Sequence, residues 1–398
     1  EVTNCYIPNG KDVIHLSFSL NDQQQSLLLD SIRLNKCSTD QVTRAEELSY
    51  GIYVESLGDQ AKYLRNLQFT ECIFRYGFSL EYSKTVQITN FENNTFDACE
   101  CTSCFKLSNP TTEVDSNYTL NIMNCRFNGT THGNAFSLGT EENLAHANTT
   151  ISNCIFSRNA NTDGDSGGFF LCTDYPIEIS ECYFNGNTAL RYGAMYLQSP
   201  SILIHKTIIA SNEASQKVGG LHITNLGELS ILETNITFNK APITPNLEII
   251  QNGDGEINIE DTYLLYTRVD YTKEGAQIYF GGAENKGDIQ IGSSLLAAPR
   301  SDSSVDVGRP IHIYSEFPGK LIIPEGNCID ASKEDSIEHK GELETKDTVF
   351  NCKADGIVPE PTIPPPTNSP TQSADATPIA TPVATQSPTP AATIDDIS

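Results

Sequence analysis

The 398-residue sequence predicts an all-β chain: a single-stranded parallel β-helix of about ten coils, each about 26–33 residues long, followed by a Pro/Thr/Ser-rich extended tail. Three observations carry this. One strand signature recurs along the chain, a second keeps the same beat out of phase, and no apolar stripe of helical length interrupts them.

The first signature is small-apolar-x-apolar, as in YGIYV, YGFSL, SCFKL, NAFSL, GGFFL, GAMYL, GGLHI, NLEII, QIYF and PIHI. Its leading apolar residues are Ile52, Phe78, Phe105, Phe136, Phe169, Met195, Leu221, Leu247, Ile278 and Ile311, spaced by 26, 27, 31, 33, 26, 26, 26, 31 and 33 residues. The second signature is Ile-x-x-(Cys/Thr)-x-(Phe/Ile/Leu), starting at Ile122, Ile151, Ile179, Ile204, Ile231, Ile259 and Ile291. Its Cys and Phe are two residues apart and share a strand face, so Arg126, Tyr183 and Asn235 between them point outward. Helical repeats need longer uninterrupted segments, and a propeller blade needs about 40 residues. One coil of a parallel β-helix fits, with successive coils stacked about 4.8 Å apart.

The expected organisation is a β-helix over residues 1–353 and a stalk over residues 354–398. An open β-helix end exposes unpaired strand edges. Residues 20–34, with Leu27, Leu28, Leu29, Ile32 and Leu34, are expected to cap or begin the first coil. The tail has almost no large apolar residue, and its frequent prolines stiffen it toward polyproline II. Ser and Thr beside Pro are the composition of an O-glycosylated stalk.

Cysteines and sequons set the expected compartment. Twelve cysteines fit disulfides in an oxidising environment. Cys125, Cys154 and Cys182 occupy one position in consecutive coils, with Thr207 and Thr234 continuing the column, so their sulfurs are expected inside the solenoid with at most one adjacent pair bonded, Cys125 and Cys154 being the candidates. Cys5 with Cys37 and Cys328 with Cys352 are candidate clamps for the two ends, and the Cys99/Cys101/Cys104 cluster reads as disulfide rather than metal site. N-glycosylation sequons stand at Asn93, Asn117, Asn128, Asn148 and Asn235. Together these predict an extracellular, cell-surface glycoprotein carrying N- and O-linked glycans.

Charge narrows the partners. Twenty-five Lys+Arg against 51 Asp+Glu leave a net charge of −26, which argues against nucleic acid, anionic lipid and pectate as ligands. No apolar run is long enough for a helical membrane span, and Glu1 reads as a mature or trimmed N-terminus.

From residue 150 the motifs sharpen. Phe156-Ser-Arg-Asn159 precedes Gly167-Gly168-Phe169, Phe184-Asn-Gly-Asn187 precedes Gly193-Ala194-Met195, and Ile209-Ala-Ser-Asn212 precedes Gly219-Gly220-Leu221. This alternation resembles the chlamydial polymorphic outer-membrane proteins and similar surface proteins of protists. The resemblance implies a right-handed, pectin-lyase-like β-helix displayed on a cell surface in adhesion or structural roles. It is clear over three coils, and no autotransporter barrel follows it here.

Chemistry is sparse. Asn161-Thr162-Asp163-Gly164 resembles the NTDG of polygalacturonases, but Ser180-Glu181-Cys182-Tyr183 stands one coil on, where those enzymes carry an Asp pair, and their Gly-His-Gly and Arg-x-Lys are missing. No catalytic residue and no cofactor is assigned. Asn159, Asn161, Asp163 and Asp165 form an incomplete calcium-loop pattern, with Phe170 where a bidentate Glu belongs; Asn252, Asp254 and Asp261 form another. The histidines are scattered, and His222 and His312 are expected at solvated outward positions. The candidate recognition face is the outward column Tyr53, Ser79, Lys106, Tyr196, His222 and Tyr279. The expected function is non-enzymatic adhesion or structural display through a host or matrix ligand or self-association. A glycosylated filament subunit is the first alternative and a polysaccharide-active lyase or hydrolase the second.

Overall fold

A computed structural model describes residues 1–7, 13–18, 27–39, 50–56, 62–82, 88–108, 118–141, 144–162, 164–266, 276–282, 287–297, 311–329 and 337–350. Among them every regular element is a β-strand, paired in parallel with the strand one coil away. The chain is a parallel β-solenoid. The proposed tail, residues 354–398, lies outside the described residues.

Three strands of each coil form three faces. The third face is a 13-stranded sheet. The first and second merge into one 22-stranded sheet, because Met195–His205 and Leu221–Leu232 run unbroken around the corner between them. On the first face the inward column runs Ile52, Phe78, Phe105, Phe136, Phe169, Met195, Leu221, Leu247 and Ile278 as the first signature predicts. It continues to Ile14 at one end and to Ile313 and Ile337 at the other. The expected register at the last marked coil is off by two: Ile278 pairs with Ile313, whereas Ile311 pairs with Ala276. Residues two apart share a strand face, so the apolar pattern fits either register. The Tyr279–Tyr314 pairing fixes the observed one.

The second signature forms the second face, with Ile122, Ile151, Ile179, Ile204, Ile231, Ile259 and Ile291 in one column. Leu27–Asp30 and Arg33–Asn35 pair with Lys62–Arg65 and Gln68–Thr70, so this leucine-rich segment is the wall of an early coil. Leu29 and Leu34 point inward, while Leu28 is 51% exposed.

Phenylalanine fills the first half of the core. On the third face Phe69, Phe96, Phe127, Phe156 and Phe184 stack nearly parallel with centroids 4.5, 5.1, 4.8 and 4.7 Å apart. Phe105, Phe136 and Phe169 stack likewise on the first face, at 5.0 and 4.6 Å. The coil spacing of about 4.8 Å itself sets these ring separations. Each ring contributes about 2 kcal/mol by burial, plus about 1 kcal/mol from the stack.

Two corners turn on left-handed residues. Asn66, Asn93, Asn124, Asn153, Glu181, Lys206, Glu233, Asp261 and Ser293 turn the second face into the third, with φ between 46° and 56°. Lys36, Glu71, Ala98, Gly129, Arg158, Gly186, Ser211 and Phe238 turn the chain after the third face, with φ between 49° and 65°. At non-glycine positions the conformation costs about 1 kcal/mol, which the ladder bonds on either side offset. Ser152 O accepts the Asn124 amide at 3.1 Å, and Ser180 O accepts that of Asn153 at 3.0 Å.

Inside each corner runs a polar ladder. At the first, each buried side chain accepts the backbone N–H of its counterpart one coil back: Cys154 from Cys125, Thr207 from Cys182, Thr234 from Thr207, Ser294 from Thr262 and Asn327 from Ser294. The expected column of Cys125, Cys154, Cys182, Thr207 and Thr234 is therefore present and longer than expected. At the second corner the ladder is asparagine. The backbone amides of Asn159, Asn187 and Asn212 donate to the Oδ1 of Asn187, Asn212 and Asn239 at 2.9–3.0 Å. Their Nδ2 groups donate to the same oxygens and to the carbonyls of Phe127, Phe156 and Phe184. These are the Asn of the FxxN motifs. The Gly-Gly/Gly-Ala partner serves close approach: a Cβ on Gly193 would lie 2.2 Å from Gly219 O, and one on Gly220 2.4 Å from Asn246 O. The motif that carries the resemblance is a coil-stacking device.

Candidate functional site

The outward residues of the first face form one register column. It runs Tyr53, Ser79, Lys106, Ser137, Phe170, Tyr196, His222, Glu248, Tyr279 and Tyr314. All six sequence-predicted positions belong to it, joined by Ser137, Phe170, Glu248 and Tyr314. Phe170 is hidden in an apolar run, and Ser137, Glu248 and Tyr314 carry no pattern of their own that marks the column.

The middle of the column is sealed. His222 is not solvated, contrary to expectation: His222 and Tyr196 are each 3% exposed, and Ser79 is 1% exposed. Tyr192, from the segment before the first-face strand, stacks on His222 at 4.6 Å. Tyr196 stacks on His222 from its own column at 5.0 Å, and Phe170 stacks on Tyr196 at 4.8 Å. With Cys172 and Val218 they form a small apolar cluster separate from the interior core, with Leu144 packed against it. A position outward on a strand is solvated only if no neighbouring segment folds over it. Here the Tyr192 and Val218 segments do, held by parallel bridges from Ser166 to Tyr192 and from Tyr192 to Val218.

Within the seal sits one ionised group with two polar partners. His222 Nδ1 hydrogen-bonds Glu248 Oε2, and Lys217 Nζ pairs with the same oxygen at 2.9 Å. Thr224 Oγ1 lies 3.3 Å from His222 Nε2. Burial drives the His222 imidazole below its ordinary value, beyond what Glu248 restores. Burial alone would raise the Glu248 carboxyl, but the His222 hydrogen bond and the Lys217 charge outweigh it and hold it low. The consistent state is a neutral imidazole donating Nδ1–H to a carboxylate. Burial raises the Tyr192 and Tyr196 phenols, so both are neutral donors.

Toward its two ends the column is half-buried among the described residues at Tyr53, Lys106, Tyr279 and Tyr314, with Ser79 buried between the first two. At one end Tyr279 and Tyr314 stack with centroids 5.7 Å apart and planes 8° from parallel. Glu316 accepts from both hydroxyls, at 3.0 and 3.5 Å, and is paired with Lys340 at 3.3 Å. The Tyr279 hydrogen bond holds the Glu316 carboxyl down, while burial and Glu316 push the Tyr279 phenol up to about 12. At the other end Tyr53 packs on Tyr50 and His15, and Lys106 Nζ stands 4.2 Å above the Tyr76 ring.

The remaining candidates fall elsewhere. Asn159 is fully buried with its carboxamide committed to the asparagine ladder, so it is a ladder residue and not a loop ligand. Asn161 donates Nδ2 to Asn134 and to Ser166 O; Asp165 is paired with Arg191 at 3.4 Å; Asp163 lies outside the described residues. The backbones around them pair with the next coil, as Leu190 N to Gly164 O and Tyr192 N to Asp165 O. Among the described residues no group of three His, Cys, Asp or Glu side chains is placed to hold a metal. Cys101 and Cys104 form a disulfide, and Cys328 is disulfide-bonded, with Cys352 outside the described residues. Cys5, Cys37, Cys125 and Cys154 are thiols here. Of the sequons, Asn93 is exposed at a corner, Asn148 exposed on the second face, and Asn128 and Asn235 half-buried on the third; Asn117 and the side chain of His312 lie outside the described residues. No described sequon stands on the first face.

No family model matches the chain, and no curated protein matches its sequence. Among solved structures, a crystal structure of the Dettilon tailspike protein (gp208) matches at 10% identity and a TM-score of 0.27, covering 75% of this chain and 62% of that one. The chain thus spans less than two thirds of that protein.

Proposed function

We propose that the chain is a non-enzymatic, extracellular recognition module that works in adhesion or structural display at a cell surface. Its half-buried Tyr279–Tyr314–Glu316 group contacts the ligand. The observation that carries this reading is the distribution of surface chemistry. A stacked tyrosine pair with a carboxylate stands on the first face, whereas the described sequons lie on the other two faces and a corner. Glycans at Asn93, Asn128, Asn148 and Asn235 would sheath those surfaces and leave the first face bare.

A net charge of −26 repels polyanions at long range, so the favoured ligand is neutral or cationic and extended, to follow a column that repeats every coil. A glycosidic general acid needs a raised carboxyl, and Glu248 and Glu316 beside the column's aromatic rings are both held down, which favours recognition over acid catalysis by these two groups. The polymorphic-protein likeness adds the expectation of surface display, and the tail is assigned as an O-glycosylated stalk.

Two measurements on the full chain test this. Impermeant biotin on intact cells should label it, and incubation with pectic polymers should release neither reducing ends nor unsaturated products. Labelling only after lysis would remove the surface assignment, and product release would replace adhesion with catalysis.

A further inference from the structure

Eight cysteines carry free thiols among the described residues, and seven of them stand in two corner columns. Cys5, Cys37, Cys72 and Cys99 occupy the second corner in consecutive coils, where the chain later places the asparagine ladder. The backbone fixes this register: Ser38 N donates to Cys5 O, Ile73 N to Cys37 O and Glu100 N to Cys72 O, at 2.8–2.9 Å. Only the Cys5–Cys37 end of this column is legible in the sequence, because the spacing from Cys37 to Cys99 falls where the coil signatures are weakest.

The number of members divides the columns: four pair completely only as Cys5 with Cys37 and Cys72 with Cys99, whereas in the column of three Cys154 has a cysteine on each side. The thiols of Cys37, Cys72 and Cys99 donate to the carbonyls of Val2, Leu34 and Phe69, and those of Cys125, Cys154 and Cys182 to the carbonyls of Phe91, Ile122 and Ile151. Stacked coils place Cα atoms about 4.8 Å apart, within the disulfide window of about 4.4–6.8 Å.

We infer that the two columns are oxidative staples: Cys5–Cys37 and Cys72–Cys99 bond in the first, while in the second Cys154 takes either Cys125 or Cys182 and leaves the third thiol free. Six of the eight thiols are consumed, and two remain, Cys172 and one of Cys125 or Cys182. The oxidant is a small disulfide such as oxidised glutathione. A Cys72 thiolate attacks it, releasing one glutathione thiolate and forming a mixed disulfide. Cys99 then displaces the second glutathione, so two protein thiols lose two electrons and two protons while one glutathione disulfide becomes two thiols. Because these thiols are shut inside the solenoid, the staples close while coils assemble.

The test is refolding of the full chain in reduced and oxidised glutathione, followed by alkylation and non-reducing peptide mapping. The expected result is Cys5–Cys37, Cys72–Cys99 and a mixture of Cys125–Cys154 and Cys154–Cys182, with two alkylatable thiols among these eight. The C154S variant should show three, with Cys125 and Cys182 both free, and C182S should show one. A Cys37–Cys72 link in the wild-type map, a Cys125–Cys182 link in C154S, or all eight thiols still free would overturn it. The wild-type map stands even if a variant does not fold.

Discussion

Replacing Asn187 with alanine breaks the asparagine ladder at its centre. Asn187 is fully buried and makes four bonds through one carboxamide. Its Oδ1 accepts the Asn159 backbone amide at 3.0 Å and Asn159 Nδ2 at 2.9 Å; its Nδ2 donates to Phe156 O at 3.0 Å and Asn212 Oδ1 at 2.9 Å. Asn212 Oδ1 keeps a second donor, the Asn187 amide, so the acceptor side suffers least. The uncompensated loss is two buried Asn159 donors, each costing about 1–3 kcal/mol, for a total of about 4 kcal/mol. Asn187→Asp should be no better, since a carboxylate keeps the Asn159 bonds but faces two oxygens it cannot donate to. Asn90→Ala, which loses one half-buried bond from Asn121, should stay within about 0.5 kcal/mol of the parent. The chain has no tryptophan, so urea unfolding of all four proteins is followed by far-UV circular dichroism. A cost below about 1 kcal/mol for Asn187→Ala, or an Asp variant as stable as the parent, would mean that the asparagine ladder does not hold the coils together.

Other perturbations have equally definite outcomes. Gly193→Ala drives a Cβ to 2.2 Å from Gly219 O with no side chain able to give way, and should cost more than about 3 kcal/mol by thermal unfolding. For pH, the His222 pKa is depressed by burial, so the unfolded chain binds the extra proton first. Stability is full above about 6.5, the ordinary histidine value, and falls as pH drops below it. Glu248, also depressed, adds a second loss as pH falls below its ordinary value of 4.5. His222→Gln should flatten the first part of that profile, read from urea midpoints between pH 7.5 and 5; an unchanged slope would mean His222 is not the titrating group. Phe127→Ala removes a ring stacked at 5.1 and 4.8 Å on its neighbours and should cost about 4 kcal/mol in the same assay, against about 1 kcal/mol for Phe127→Leu.

The solenoid was legible in the sequence because a parallel β-helix stacks like on like. Ile151 over Ile122 and Phe184 over Phe156 are the same requirement met twice, so periodicity becomes geometry. The register failed only at Ile311/Ile313, where two inward isoleucines satisfy the pattern equally. The site was legible in its column and illegible in its exposure. Strand alternation places Tyr196 and His222 outward, but no local pattern states that the Tyr192 segment folds over them. Glu248 was the readable clue, since a lone acid beside an outward histidine one coil away suggests a pair. Asn159 was misread for a related reason: an Asn-rich turn has the same composition whether its carboxamides face solvent, a cation or the next asparagine.

One binding experiment addresses recognition through the Tyr279–Tyr314 pair of the first face. Fluorescent full-length protein and its Tyr279→Ala/Tyr314→Ala double variant are applied to cells and extracellular matrix, with the fold of each checked by circular dichroism. The parent should bind saturably and the folded double variant should lose at least tenfold in affinity, whereas Tyr263→Ala on the third face should change nothing. Equal binding by the parent and the folded double variant would contradict recognition through this pair.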